Sequence, residues 1–239
     1  MSLQLTHYTR ETTTVLNILS NGFAWVPNCR NLISYLIPDH DFSEREPQQF
    51  GMISFTELTP GEAVEHRKEF GNYGITVSEN WTRKHRVQKV LYIDKSGGPI
   101  FDALSLIFKE GYNDVRSKIR FPDDAMWQMA YTNKAAAAIT NSRLWIGLLQ
   151  LYEYIEPIEN AYQSEWRIIH PEPYYGYANT KAKIIKNVSP PQGWAKVLNV
   201  VTVQPEDVIG FVCPRGNQES LKSVLPKVYK TKPVVIVEV

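Results

Sequence analysis

Leu3 to His7 alternates apolar and polar residues as a half-buried strand does, and Thr12 to Leu19 sets Val15, Leu16, Ile18 and Leu19 at helical spacing before Gly22, a helix stop. Met52 to Phe55 reads as a second short strand. Gly61 to Phe70 carries charges around Ala63 and Val64 and predicts an exposed helix, with a polar loop from Pro38 to Gln49 ahead of that strand. Tyr73 to Val77 predicts a strand that ends at Ser78, where Ser followed by Glu79 and Trp81 starts a helix, and Val87 to Ile93 predicts a further strand. The N-terminal part therefore interleaves strands with short helices.

From Pro99 to Tyr154 the pattern changes. Leu104, Ile107 and Phe108, then Met126, Trp127 and Met129, then Leu144, Ile146, Leu148 and Leu149 recur at helical spacing with few turn signals, which predicts a helical insertion, a subdomain or lid. Strand patterns resume at Trp166 to Ile169, Val197 to Val203, Val208 to Cys213 and Val234 to Val239, with one helix around Gln218 to Leu225. Pro190-Pro191-Gln192-Gly193 reads as a loop rather than a domain linker, and no internal repeat or low-complexity tract appears. The expected architecture is α+β over residues 1–239 as a single domain, with the helical insertion at about 99–154.

Composition narrows the classes without naming one. With 43% hydrophobic and 21% charged residues the chain of 239 residues has an ordinary globular make-up, and no apolar stretch approaches the roughly 18 residues of a membrane span. Met1 to Thr6 shows neither a basic segment nor an apolar one, so it does not read as a signal peptide, and the expected location is cytoplasmic. Cys29 and Cys213 lie far apart without paired spacing, which predicts neither a disulfide framework nor a thiolate zinc site. His7, His40, His66, His85 and His170 show no metal-ligand spacing, so no metal is expected. A net charge of +1 excludes a strongly basic nucleic-acid clamp and leaves room for a local basic patch.

Among polar residues Glu165 stands out, an acid at the mouth of the apolar strand Trp166 to Ile169 and two residues after Gln163. Such an acid must be paired, exposed at an edge, or placed in a cleft. Arg167 lies two residues on and so on the same face, which makes a structural Glu165–Arg167 pair the plain alternative to a functional role. His7-Tyr8-Thr9 closes the first strand, Ser54-Phe55-Thr56-Glu57 alternates small hydroxyls at a strand end, and Tyr73 precedes Gly74, which lets a ligand or another backbone approach the ring.

These residues carry a resemblance. Leu5-Thr6-His7-Tyr8-Thr9 with Val15-Leu16, Ile18-Leu19 and Gly22-Phe23 resembles the opening of the AbiGi-like abortive-infection family and of DarT-type ADP-ribosyltransferases. Ile53-Ser54-Phe55-Thr56-Glu57, Phe70-Gly71-Asn72-Tyr73-Gly74-Ile75 with Trp81, Ser164-Glu165-Trp166-Arg167 and Asp207-Val208-Ile209-Gly210-Phe211-Val212 resemble later AbiGi-like blocks in the same order. The helical middle matches no block. The resemblance implies an ADP-ribosyltransferase-like fold, a split mixed and antiparallel sheet with flanking helices. His7, Tyr73 and Glu165 map onto the histidine, tyrosine and glutamate set of such enzymes, Ser54-Phe55-Thr56 is similar to the serine strand of the other set, and Gln163-Ser164-Glu165 is similar to the QxE acidic motif.

The activity so implied is mono-ADP-ribosyl transfer from NAD, by a toxin of a phage-defence or toxin–antitoxin system. Glu165 would stabilise the ribosyl cation and Gln163 would orient the acceptor. His7, with Tyr8 and Thr9 beside it, would hold the adenosine ribose, Ser54 and Thr56 would line the NAD cleft, and Tyr73 would stack on nicotinamide. QxE implies a nucleic-acid acceptor, RNA or DNA. Arg83-Lys84-His85-Arg86 with Lys89 near Trp81 is the candidate phosphate patch, against the plain alternative of a solvated loop. A protein acceptor, an NAD hydrolase without acceptor, and a non-catalytic AbiGi-like antitoxin stay open beside it, and a toxin of this kind would have a neutralising partner protein.

Overall fold

The computed structural model describes residues 3–27, 36, 49–94, 96–118, 143–174 and 200–238. The first strand, β1 (Leu5–Thr9), opens two residues after the predicted start at Leu3, closes at Thr9 and leads into α1 (Thr12–Asn21). Gly22 ends α1 with φ +87°, and its N–H donates to the Ile18 carbonyl, so the predicted stop operates through the backbone freedom of glycine. After β2 (Val26–Pro27) come β3 (Gln49–Thr56), α2 (Val64–Phe70), β4 (Tyr73–Val77) and α3 (Glu79–Lys84). Ser78 caps α3, its hydroxyl accepting from the Trp81 N–H at 3.2 Å.

Two expectations change here. The predicted strand Val87 to Ile93 is two strands, β5 (Gln88–Lys89) and β6 (Leu91–Ile93), which join different sheets. The predicted exposed helix is shorter and half-hidden, because α2 buries His66 and Arg67 against the sheet, where polar residues disguise an inward face. The predicted helical middle contains α4 (Pro99–Lys118) and α5 (Arg143–Tyr152), and Met126, Trp127 and Met129 lie outside the described residues. Then follow β7 (Ile155–Pro157), a 3-10 turn (Ile158–Gln163), β8 (Glu165–Tyr174), β9 (Val208–Pro214), α6 (Gln218–Val224), a second 3-10 turn (Lys227–Tyr229) and β10 (Val234–Val237). Of the predicted strand Val197 to Val203 the described part makes an isolated bridge, Val201 to Phe23. The Pro190 to Gly193 loop and Val239 lie outside the described residues, as does nearly all of the Pro38 to Gln49 loop, whose last residue opens β3.

The main sheet has the order β10-β9-β4-β1-β3-β8-β5, with β2 beside β3. Its neighbours are antiparallel except β10 on β9, and β6 and β7 form a separate parallel pair. The fold is α+β with a mixed, mostly antiparallel sheet. Residues opposite each other in antiparallel strands share a face, so the register sorts the sheet into two. One face carries Leu5, Ile53, Phe55, Ile75, Val77 and Phe211 and packs on Val15, Ile18 and Leu19 of α1 and Trp81 of α3, which makes the main core. The other face holds Tyr8 and Val212 in a smaller cluster with Ala63 and Phe70 of the α2 segment. Among the described residues no helix is long and apolar enough to cross a membrane.

Gly71 joins α2 to β4 with φ +115°, and a Cβ there would lie 2.3 Å from the Thr9 carbonyl oxygen. Gly71→Ala is therefore expected to lower unfolding free energy by on the order of 1–3 kcal/mol. Gly61, with nothing within 4 Å of an added Cβ, supplies the comparison. Urea titrations of both variants check it: equal midpoints would show that Gly71 carries no backbone demand.

Candidate functional site

The strands of the predicted site are neighbours. β1 with His7, β3 with Ser54 and Thr56, and β8 with Glu165 run side by side in that order. Thr6 pairs with Thr56, Thr56 with Glu165 and Ser54 with Arg167, so Ser54, Thr56 and Glu165 share one face, and Tyr8, two residues from Thr6, lies on it too. His7 has the opposite parity. It pairs with Ile75 on the main-core face, where its ring meets Phe23 and Phe55 edge-on at centroid distances of 5.2 and 5.7 Å. Thr9 and Tyr73 pair with each other on that same core face. The eight candidates thus fall into two groups across the sheet, because neighbouring positions of a strand point to opposite sides.

On the core face, His7 and Tyr73 each have a structural partner. His7 Nδ1 bonds the Ser54 carbonyl at 2.8 Å, and burial lowers its pKa below the usual imidazole range, with that bond working the other way. The Tyr73 hydroxyl accepts a bond from Asn217, just before α6.

The Glu165 face is a buried polar assembly. The Arg167 guanidinium donates from Nε to Glu165 Oε1 at 2.8 Å and from Nη2 to Oε2 at 2.7 Å, a bidentate fork. Nη2 also meets Glu156 Oε1, and Nη1 bonds the Glu153 carbonyl. Arg167 and Glu156 are fully buried and Glu165 is 3% exposed. The second Glu156 oxygen accepts from Asn160 at 3.0 Å, and the Tyr92 hydroxyl accepts the Glu165 N–H at 2.7 Å. Burial pushes the Tyr92 phenol up to about 12, against the bond from the Glu165 N–H, with the Glu165 and Glu156 charges adding to the rise and Arg167 opposing it. Burial works against the charge on Arg167, yet Glu165 and then Glu156 raise its pKa. The plain alternative raised by the sequence, a same-face Glu165–Arg167 pair, is present.

Thr56 and Gln163 are tied to the same wall. The Thr56 hydroxyl donates to the Gln163 carbonyl at 2.6 Å, and Gln163 Nε2 donates to Glu69 of α2 at 3.0 Å. Gln163 is 1% exposed and its Oε1 has no partner. Tyr8, with its hydroxyl buried and unpartnered, stacks edge-on against His66 of α2 at 5.5 Å. Ser164 adopts a left-handed φ of +41°, which turns the chain between Gln163 and β8. Its hydroxyl reaches Glu57 at 2.6 Å, as does the Trp166 indole at 3.0 Å, and Lys89 completes that cluster. Burial acts to raise the Glu57 pKa, and the bonds from Lys89, Ser164 and Trp166 outweigh it, so the net shift is downward.

The sequence reading missed Glu156, Tyr92 and His66. Glu156 and Tyr92 meet Glu165 through the parallel β6–β7 pair, Tyr92 opposite Glu156, a long-range contact with no local pattern. Charged neighbours in α2 masked His66, which is 4% exposed. Burial, and then the charge of His7, lower its pKa to about 4, from 6.5. Its folded pKa lies below the unfolded value, so its share of stability is complete above pH 6.5 and is lost as pH falls toward 4. His7 acts in the same direction. Between these values His66→Phe is expected to flatten the dependence of unfolding free energy on pH by up to about 1.4 kcal/mol per unit. An unchanged slope in urea titrations across the window would refute a buried neutral His66.

Among the described residues no group of three or more His, Cys, Asp and Glu side chains is arranged to hold a metal. Family models, curated proteins and solved structures were each compared with this chain, and none matches.

Proposed function

We propose that this chain is an NAD-dependent mono-ADP-ribosyltransferase that modifies a nucleic-acid base, the toxin of a phage-defence system with a neutralising partner. One observation carries it: the strands of the three motifs are adjacent in one sheet, with Ser54, Thr56 and Glu165 on a common face and Gln163 at its rim. The strands that carry these motifs are far apart in sequence and adjacent in the sheet, while His7 and Tyr73 lie across it from Glu165.

Departure of nicotinamide leaves cationic character on the ribose, as in glycoside hydrolysis, and the leaving group already carries positive charge, so no general acid is needed. A fixed carboxylate beside that carbon stabilises the developing charge. Glu165 fills this role: Arg167 holds it in one orientation, and each of its oxygens retains a lone pair beyond the one given to Arg167. Ser54 and Thr56 shape the ribose side. Gln163, whose Oε1 is unpartnered, orients the acceptor. His7 and Tyr73 face the core and do not touch NAD on this account, His7 bonding the Ser54 carbonyl from the far side of the sheet. With Glu165 3% exposed, this role requires the elements over this face to part before NAD can reach it.

The same fork favours a second reading. A carboxylate with both oxygens bonded to a buried arginine already has a structural task, and a fold stabilised in this way serves a non-catalytic antitoxin-like binding module equally well. NAD labelled in its adenosine half separates the two. Label on RNA or DNA supports the transferase, label on protein moves the acceptor, free ADP-ribose indicates hydrolysis, and no turnover selects the binding module.

A further inference from the structure

The last strand of the sheet ends it with an open edge. β10 pairs with β9 on one side, and among the described residues no strand lies on the other. The Phe211 N–H bonds the Pro233 carbonyl and the Arg215 N–H bonds the Val237 carbonyl, so the odd-numbered residues of this segment turn their backbone groups toward β9. By alternation the N–H and C=O groups of Val234 and Ile236 point outward. The strand is Val-Val-Ile-Val, β-branched throughout and without a charge, and Val235 and Ile236 are 47% and 45% exposed on its two faces. Edge strands are commonly guarded by an internal charge, a proline or a bulge, and this one has its proline and charges outside the run, at Pro233, Lys232 and Glu238.

We propose that β10 is an interface to a second copy of this chain, the two strands pairing antiparallel about a two-fold axis centred on Val235. In that register Val234 faces Ile236 of the second copy in hydrogen-bonded pairs, using the outward backbone groups of both chains. Val235 faces Val235 across the axis in the closer, non-hydrogen-bonded position. Lys232 falls opposite Glu238 on each side of the axis, so unlike charges flank an apolar centre. Glu238 already pairs with Arg215 at the surface, and Lys232 of the second copy joins that pair as another cation. The alternatives fit less well. Centring the axis on Val234 sets Lys232 against Ile236, and centring it on Ile236 sets Glu238 against Val234.

The test measures self-association and register together on the full chain. Sedimentation over a concentration series is expected to show a monomer–dimer equilibrium. Val235→Lys sets like charges face to face at a half-exposed position, where folding is unharmed, and is expected to raise the dimer dissociation constant about tenfold or more. With oxidised glutathione, Val235→Cys is expected to yield a covalent dimer beyond the wild-type background, since the opposed Cα atoms of a non-hydrogen-bonded pair, about 4.5 Å apart, suit a disulfide. Ile236→Cys, facing Val234, is not. A chain monomeric at every concentration, a dimer indifferent to Val235→Lys, or cross-linking through Ile236→Cys instead would each overturn the proposal.

Discussion

Arg167→Ala is expected to cost about 3–5 kcal/mol of folding stability, the largest loss from any single substitution considered. The guanidinium is the cation common to the Glu165 and Glu156 carboxylates, all three side chains being buried. Removing it takes this counter-charge from two carboxylates in a low-dielectric interior, and also removes the donor it gives to the Glu153 carbonyl. For a chain of this size the loss corresponds to a drop in melting temperature on the order of 10 °C. Arg167→Lys is expected to recover only part of it, because a point charge cannot reproduce the fork on Glu165. The exposed Lys89–Glu57 pair provides the scale: Lys89→Ala is expected to cost less than about 1 kcal/mol. Urea unfolding of the three variants measures this, and an Arg167→Ala midpoint within error of wild type would mean that the buried assembly does not exist in solution.

Glu165→Gln is expected to lower ADP-ribosyl transfer about a hundredfold or more, as removal of one charge-stabilising group at a reacting centre does. Its stability falls less than that of Arg167→Ala, since Glu156 still neutralises the guanidinium. Transfer is therefore compared at a temperature where circular dichroism shows both proteins folded. The informative partner is His7→Asn, which keeps a donor toward the Ser54 carbonyl and lies across the sheet from Glu165. It is expected to retain most of the transfer. A large loss with His7→Asn and little with Glu165→Gln would move the reacting centre to the opposite face.

Much of the fold was legible because local signals carried it. Gly22 and Ser78 mark helix ends through their own backbone and side-chain chemistry, and the β9 run is apolar enough to read as a strand without partners. Val87 to Ile93 was not legible as two strands, since Gln88 pairs with Arg167 while Leu91 pairs with Ile155, a choice made by distant partners. The site was half legible for a similar reason. Motif order named strands that are neighbours in the sheet, but a parity difference of one residue decides the face, and that put His7, Thr9 and Tyr73 across the sheet from Ser54, Thr56 and Glu165. The Glu165–Arg167 pair could be read from its two-residue spacing. Its third member, Glu156, could not, because the β6–β7 pairing that delivers it has no trace in the local pattern.

The central claim is transfer of ADP-ribose to nucleic acid, and the most direct measurement is incubation of the purified chain with adenosine-labelled NAD, RNA, DNA and protein. Nuclease-sensitive label on RNA or DNA, lost in Glu165→Gln, is the expected result. NAD recovered intact with no label on any acceptor would contradict the claim.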